Sequence, residues 1–133
     1  MGFFKRLLGL EPKQNNRQQH WTPKNNVGPP ASDLPGEIRN ILTADFGHLQ
    51  ISENVPVTQI LPTQQFGGPI DFVLSSGNAA VAVIMLVQKG KIRTKHYWGV
   101  ELACEAAKIP IIRFHYHFAF DRPLAVKHIA KYL

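Results

Sequence analysis

Pro69-Ile70-Asp71-Phe72-Val73-Leu74, Ser75-Ser76-Gly77-Asn78 and Ala79-Ala80-Val81-Ala82-Val83-Ile84-Met85-Leu86-Val87 follow one another without a break, and their reading decides the fold. The first piece is a short apolar run carrying one acid, the second is turn chemistry, and the third is nine residues without a charge. Two strands joined by a tight turn satisfy that pattern. Val81 to Val87 is rich in branched residues and apolar throughout, as a central strand covered on both faces should be. Beyond the basic segment Lys89 to His96, Val100, Ala103, Cys104 and Ala107 recur at helical spacing, which predicts a helix from about Tyr97 to Lys108. Ile109-Pro110-Ile111-Ile112-Arg113-Phe114 then returns as a buried strand, with proline tolerated at its start.

Working upstream, Leu34, Ile38, Ile41 and Leu42 lie three and four apart, the period of one buried helix face. Ser32 or Asp33 can cap that helix, Pro35 suits its first turn, and Gly47 can stop it. His48 to Leu61 alternates in part and predicts an extended, hairpin-like segment interrupted by Pro56; Pro62 to Gly68 is a loop. Downstream, Asp121-Arg122-Pro123 opens a last helix that offers Leu124, Val126, Ile129, Ala130 and Leu133 for burial. The predicted order is α-β-β-β-α-β-α, an α/β domain over residues 34–133 in which a helical crossover joins two parallel strands.

Residues 1–33 read as a tail. Phe3, Phe4, Leu7 and Leu8 fall on one side of a short amphipathic start, Glu11 to Ser32 is polar or proline-rich, and Trp21 is isolated within it. The start is too short for a secretory signal, and Arg6 stands where a myristoylation motif needs Ser or Thr. No apolar run reaches the roughly 18 residues of a membrane span. With 133 residues, 44% hydrophobic and 18% charged, the chain supports one folded domain, and its net charge of +6 favours polyanionic partners such as nucleic acid or acidic lipid. A single cysteine, Cys104, excludes an internal disulfide framework and fits a cytoplasmic location; among alanines and Leu102 it reads as a small buried hydrophobe.

The residues quoted at the two ends of the opening stretch resemble the PD-(D/E)XK, or restriction-endonuclease-like, superfamily, closest to its small bacterial branch similar to very-short-patch repair endonucleases. Ile70-Asp71-Phe72-Val73-Leu74 matches the family's Asp-Phe strand. Ala107-Lys108-Ile109-Pro110-Ile111-Ile112-Arg113-Phe114 matches its "Gly-Ile-Pro-apolar-apolar-Arg" strand, with Lys108 in the glycine's place. Glu37 falls where many members carry an acid. The resemblance covers about residues 34–114 and implies an α-β-β-β-α-β core, to which this chain adds a C-terminal helix. It also implies a Mg²⁺ site on strand carboxylates. Here the pattern departs: Met85 and Val87 stand where two acids belong, and Tyr97 and Val100 where the following helix carries Asp and Lys. A thioether is a poor Mg²⁺ ligand, which leaves Asp71 as the one strand carboxylate.

Three functions follow as expectations. The first is an inactive nuclease-like domain, without a cofactor, that binds DNA or acts as a scaffold in a DNA-handling assembly for repair, conjugation or secretion. Its contacts would be Lys89, Lys91, Arg93, Lys95, His96 and Arg113. In an extended conformation Lys89, Lys91, Arg93 and Lys95 would share one side and meet phosphates, with Tyr97 and Trp98 next in line; Trp98 is expected in the core. The second is a Mg²⁺-dependent endonuclease in which Asp71 works with a glutamate that has moved to the helix, Glu101 or Glu105. The third is a structural subunit that docks on a protein partner through Phe3, Phe4, Trp21 or a sheet edge. Each acid has a plain alternative. Asp71 can cap a turn or pair with a cation such as Arg113, and Glu101 and Glu105 can form a solvated face with Glu105 paired to Lys108. His115 and His117 would point the same way on a strand, as two metal ligands or as a polar strand end. No nucleophilic triad, phosphate-binding glycine loop or zinc cysteine spacing is present.

Overall fold

The computed structural model describes residues 28–91 and 94–133. The expectations that fall on Phe3, Phe4, Trp21 and Arg93 lie outside the described residues.

The elements follow the predicted order. Helix α1 (Leu34–Asp45) begins at Asp33, whose carboxylate accepts the Gly36 N–H at 3.1 Å, and Pro35 occupies the first turn. Strand β1 (Gln50–Val55) is a single strand, so the hairpin-like expectation for 48–61 is corrected. Two residues account for the break: Asn54 takes φ +53, and Pro56 leads into one 3₁₀ turn at Val57–Gln59. Strands β2 (Ile70–Ser76) and β3 (Ala79–Val87) form a hairpin closed by Gly77 and Asn78, with Gly77 at φ +65, where a two-residue turn favours glycine. Helix α2 (Lys95–Ala107) begins two residues earlier than predicted. It ends at Lys108, which adopts the left-handed conformation (φ 60) common at helix C-termini, while Ile109 N–H closes onto Cys104 O at 2.9 Å. Lys108 therefore performs the backbone task for which glycine is the usual residue. Strand β4 (Ile111–His115) and helix α3 (Arg122–Ala130), capped by Asp121, complete the chain.

The sheet order is β1-β2-β3-β4, with β1/β2 and β2/β3 antiparallel and β3/β4 parallel across the α2 crossover. Alternation of side chains along β2 and β3 divides the core into two layers. Phe72, Leu74, Ala82, Ile84, Leu86, Ile112 and Phe114 pack beneath α1 and α3. Val73, Val83, Met85 and Val87 pack on the other face beneath Tyr97, Val100, Ala103 and Cys104 of α2. β3 is thus covered on both sides, which is why it carries no charge.

Three burial expectations change. In α3 the buried residues are Ala125, His128 and Ile129, whereas Ala130 and Leu133 face solvent. Trp98 is exposed, and its neighbour Tyr97 takes the inward position. The chain joins the domain before residue 34: Phe120 N–H donates to Pro29 O at 3.0 Å, Pro30 bridges to Ala119, and Ala31 packs on the core.

Candidate functional site

The β2/β3 ladder stops at Phe72–Ile84, while β2 continues to pair with β1 as far as Ile70–Val55. Past that point the side of β3 that faced β2 still presents the polar groups of Leu86. Two side chains take them. Asp71 Oδ2 accepts the Leu86 N–H at 2.8 Å, and the Tyr97 hydroxyl donates to Leu86 O at 3.0 Å. One peptide position of the central strand is therefore satisfied by an acid from β2 and a phenol from α2, as buried backbone groups require.

This location sets the electrostatics. Burial pushes the Asp71 carboxyl above the usual aspartate range, against the opposing pull of the Leu86 N–H and of His96. Burial likewise raises the Tyr97 phenol, with the Gln88 backbone N–H acting the other way and the Asp71 charge adding to the rise. Tyr116 is raised in the same sense, by burial first and then by Asp71.

The positions that would complete a nuclease carboxylate set are occupied by core. Met85 and Val87 are buried under α2, and in the parallel ladder they pair with Arg113 and His115. The Arg113 guanidinium engages Glu101 of α2, so the expected alternative of an Asp71–Arg113 pair is corrected: the arginine's partner is the helix glutamate. Glu105 is exposed, and no ion pair joins it to Lys108. Among the described residues no three His, Cys, Asp or Glu side chains gather to hold a metal ion. Of the three side chains Asp71, Met85 and Glu101, Met85 offers no oxygen, Glu101 is paired with Arg113, and Asp71 accepts the Leu86 N–H. His115 ends β4 while His117 lies in the following turn, with rings 5.7 Å apart and edge-on; Phe118 packs against both. The expected two-histidine strand is not formed, because the strand stops at the first of them.

The basic segment also differs from an extended stripe. Gly90 takes φ +79, Lys91 N–H donates to Gln88 O at 3.0 Å, and Thr94 donates to Lys91 O through both its N–H and its hydroxyl. The chain therefore turns between β3 and α2, and Lys89 and Lys91 project from that connection, both exposed. Lys95 is the exposed first residue of α2, and its Nζ lies 6.0 Å from the centre of the Phe66 ring. His96 is half-buried and engaged locally: its ring stacks on Tyr97 at 4.6 Å, and Nε2 is 3.2 Å from Pro69 O.

Several residues that matter here were not singled out from sequence. Phe66 lies against Trp98 with ring centres 5.3 Å apart. Their loop and helix are pressed together at glycines. A Cβ on Gly67 would sit 3.1 Å from Gly99 Cα, and one on Gly99 would run into the Phe66 carbonyl and Gly67 Cα. The signal was present as a glycine inside a helix, which costs roughly 0.5–1 kcal/mol relative to alanine unless close approach requires it.

No protein-family model matches this chain, and neither a curated protein nor a solved structure does.

Proposed function

We propose that this domain is a non-hydrolytic nucleic-acid-binding module on a restriction-endonuclease-like scaffold, serving a DNA-handling assembly. The observation that carries this reading is the β3–α2 connection. Lys89, Lys91 and Lys95 stand exposed at one end of the central strand, and the sequence from Gln88 to Val100 contains no acid to neutralise them. Thr94 spends its hydroxyl on Lys91 O rather than on the helix, and the first turn of α2 has no acidic residue, so the helix dipole adds to the positive field. Such a surface meets phosphates without reading bases.

The non-hydrolytic half rests on the side chains that replace the expected metal set. Met85 and Val87 belong to the core, Glu101 is engaged by Arg113, and Asp71 holds a backbone amide. Arg113 is correspondingly committed to Glu101, and His96 to the loop, which leaves the lysines as the groups that meet the polyanion.

The test is binding at low salt by the wild-type chain and by K89E/K91E/R93E/K95E. Affinity is expected to fall at least about tenfold in the variant. The dependence of binding on salt should flatten by about 0.7–0.9 for each phosphate that is no longer neutralised. Unchanged affinity in the charge-reversed protein overturns the proposal, as does Mg²⁺-dependent cleavage that Asp71→Ala abolishes.

A further inference from the structure

We infer that the ligand of this surface is single-stranded nucleic acid, held by a base-stacking platform made of Trp98 and Phe66 beside Lys95. The inference rests on the nucleic-acid reading above and specifies which form is bound. Trp98 is 50% exposed although tryptophan carries one of the largest apolar surfaces a side chain can bury. A scattered exposed aromatic needs no explanation, but this one is not scattered. Phe66 reaches it from the loop ahead of β2 at a 57° tilt, and Leu102, one turn further along α2, extends the same exposed face. Lys95 stands one turn before Trp98 with its Nζ 6.0 Å from the centre of the Phe66 ring, while Glu101, one turn after Trp98, is paired with Arg113.

The platform is held in place. Gly67 and Gly99 approach backbone to backbone, Gly68 N–H donates to His96 O at 3.3 Å, and a Cβ on Gly68 would run into the His96 ring. Loop and helix backbones are therefore fixed against each other, and they present the two aromatic rings side by side.

The chemistry of the ligand follows. A duplex keeps its base faces inside the stack and offers this surface only phosphates. A single strand offers phosphates to the lysines and unstacked base faces to the rings, and every base has such a face. The amide nitrogen of Gln64, close to the rings, is used on Phe66 O at 3.0 Å rather than aimed at a base edge. Binding should therefore tolerate sequence.

The experiment compares short mixed-sequence single-stranded DNA, single-stranded RNA and the matched DNA duplex by fluorescence anisotropy, using the full chain. At least one single-stranded form is expected to bind about tenfold more tightly than duplex, and Trp98→Ala to remove about tenfold of that affinity while leaving duplex binding within about twofold. Phe66→Ala should lose less, and Trp98→Phe should keep most of the affinity. In a Trp21→Phe background, the remaining tryptophan emission should be quenched by the single strand and not by duplex. Both ring positions are partly or largely exposed, so far-UV circular dichroism of the variants should match wild type. Duplex bound as tightly as single strand, or Trp98→Ala weakening both equally, overturns this inference and leaves the nucleic-acid reading standing. No binding of any form by wild type overturns both and turns the exposed rings into a surface for a protein.

Discussion

Asp71 Oδ2 holds the Leu86 N–H at 2.8 Å where the ladder between their two strands has already ended. The acid that a nuclease would give to a metal is here a replacement rung in a sheet. Removing it by Asp71→Ala leaves a buried donor without an acceptor, which costs about 1–3 kcal/mol. Asp71→Asn, which retains an acceptor oxygen, should cost less. The pH dependence has a definite sign. The folded carboxyl is raised above its ordinary value, so its contribution to stability is largest below the unfolded pKa and is lost as pH rises through the folded one. The advantage of wild type over Asp71→Asn should therefore grow as pH falls from neutral through the carboxylate range. Urea melts of both proteins at several pH values read it directly, and an advantage that shrinks on acidification contradicts the assignment.

Tyr97→Phe tests the other backbone group of the same residue, Leu86. It deletes the hydroxyl that Leu86 O accepts and leaves the ring in the core, so a loss of about 1 kcal/mol is expected. Combined with Asp71→Ala, the two losses should not simply add, because both side chains serve one residue. Additivity within experimental error in the double-mutant cycle would show that the two bonds act independently.

At Gly99 an added methyl group has nowhere to go. Alanine would improve helix propensity by about 1 kcal/mol, but its Cβ meets backbone atoms of Phe66 and Gly67 rather than a flexible side-chain end. Overpacking of that kind costs typically about 1–3 kcal/mol. Gly99→Ala should therefore lower the thermal midpoint, and a rise would mean that loop and helix are not in contact.

Cys104 should be inert while the protein is folded. It is buried between α2 and the sheet, and burial pushes its thiol up to about 11. A thiol reagent at pH 8 should label it at the rate of unfolding and instantly in denaturant; fast labelling of native protein would place it at the surface.

Much of the fold was legible because period and punctuation agreed. The uncharged run Ala79 to Val87 could only be a strand covered twice, Asp33 and Asp121 stood at helix starts, and Gly77-Asn78 supplied a hairpin turn. The expectation of Trp98 in the core ran against a signal that was present: the stripe of Val100, Ala103 and Cys104, continued back three residues, lands on Tyr97. What sequence could not supply was the point at which β2 leaves β3, because that depends on the whole sheet and not on any local pattern. The role of Asp71 follows from that divergence, so the residue type alone left metal ligand, turn cap and ion-pair partner open and did not point to a strand amide. The lysines were legible as a charge cluster, but no local pattern showed that Gly90 turns them away from an extended stripe.

β1 is an outer strand of the sheet, and an outer strand ordinarily offers a row of unpaired backbone groups to any chain that comes near. Here Glu53 sits on that strand paired to Arg39, and Asn54 turns left-handed immediately after it. An incoming strand would lose its register at Asn54 and have to displace or accommodate a fixed charge before reaching it. The left-handed turn at Asn54, one residue before the strand ends at Val55, thus also makes this edge of the sheet a poor template for a further strand.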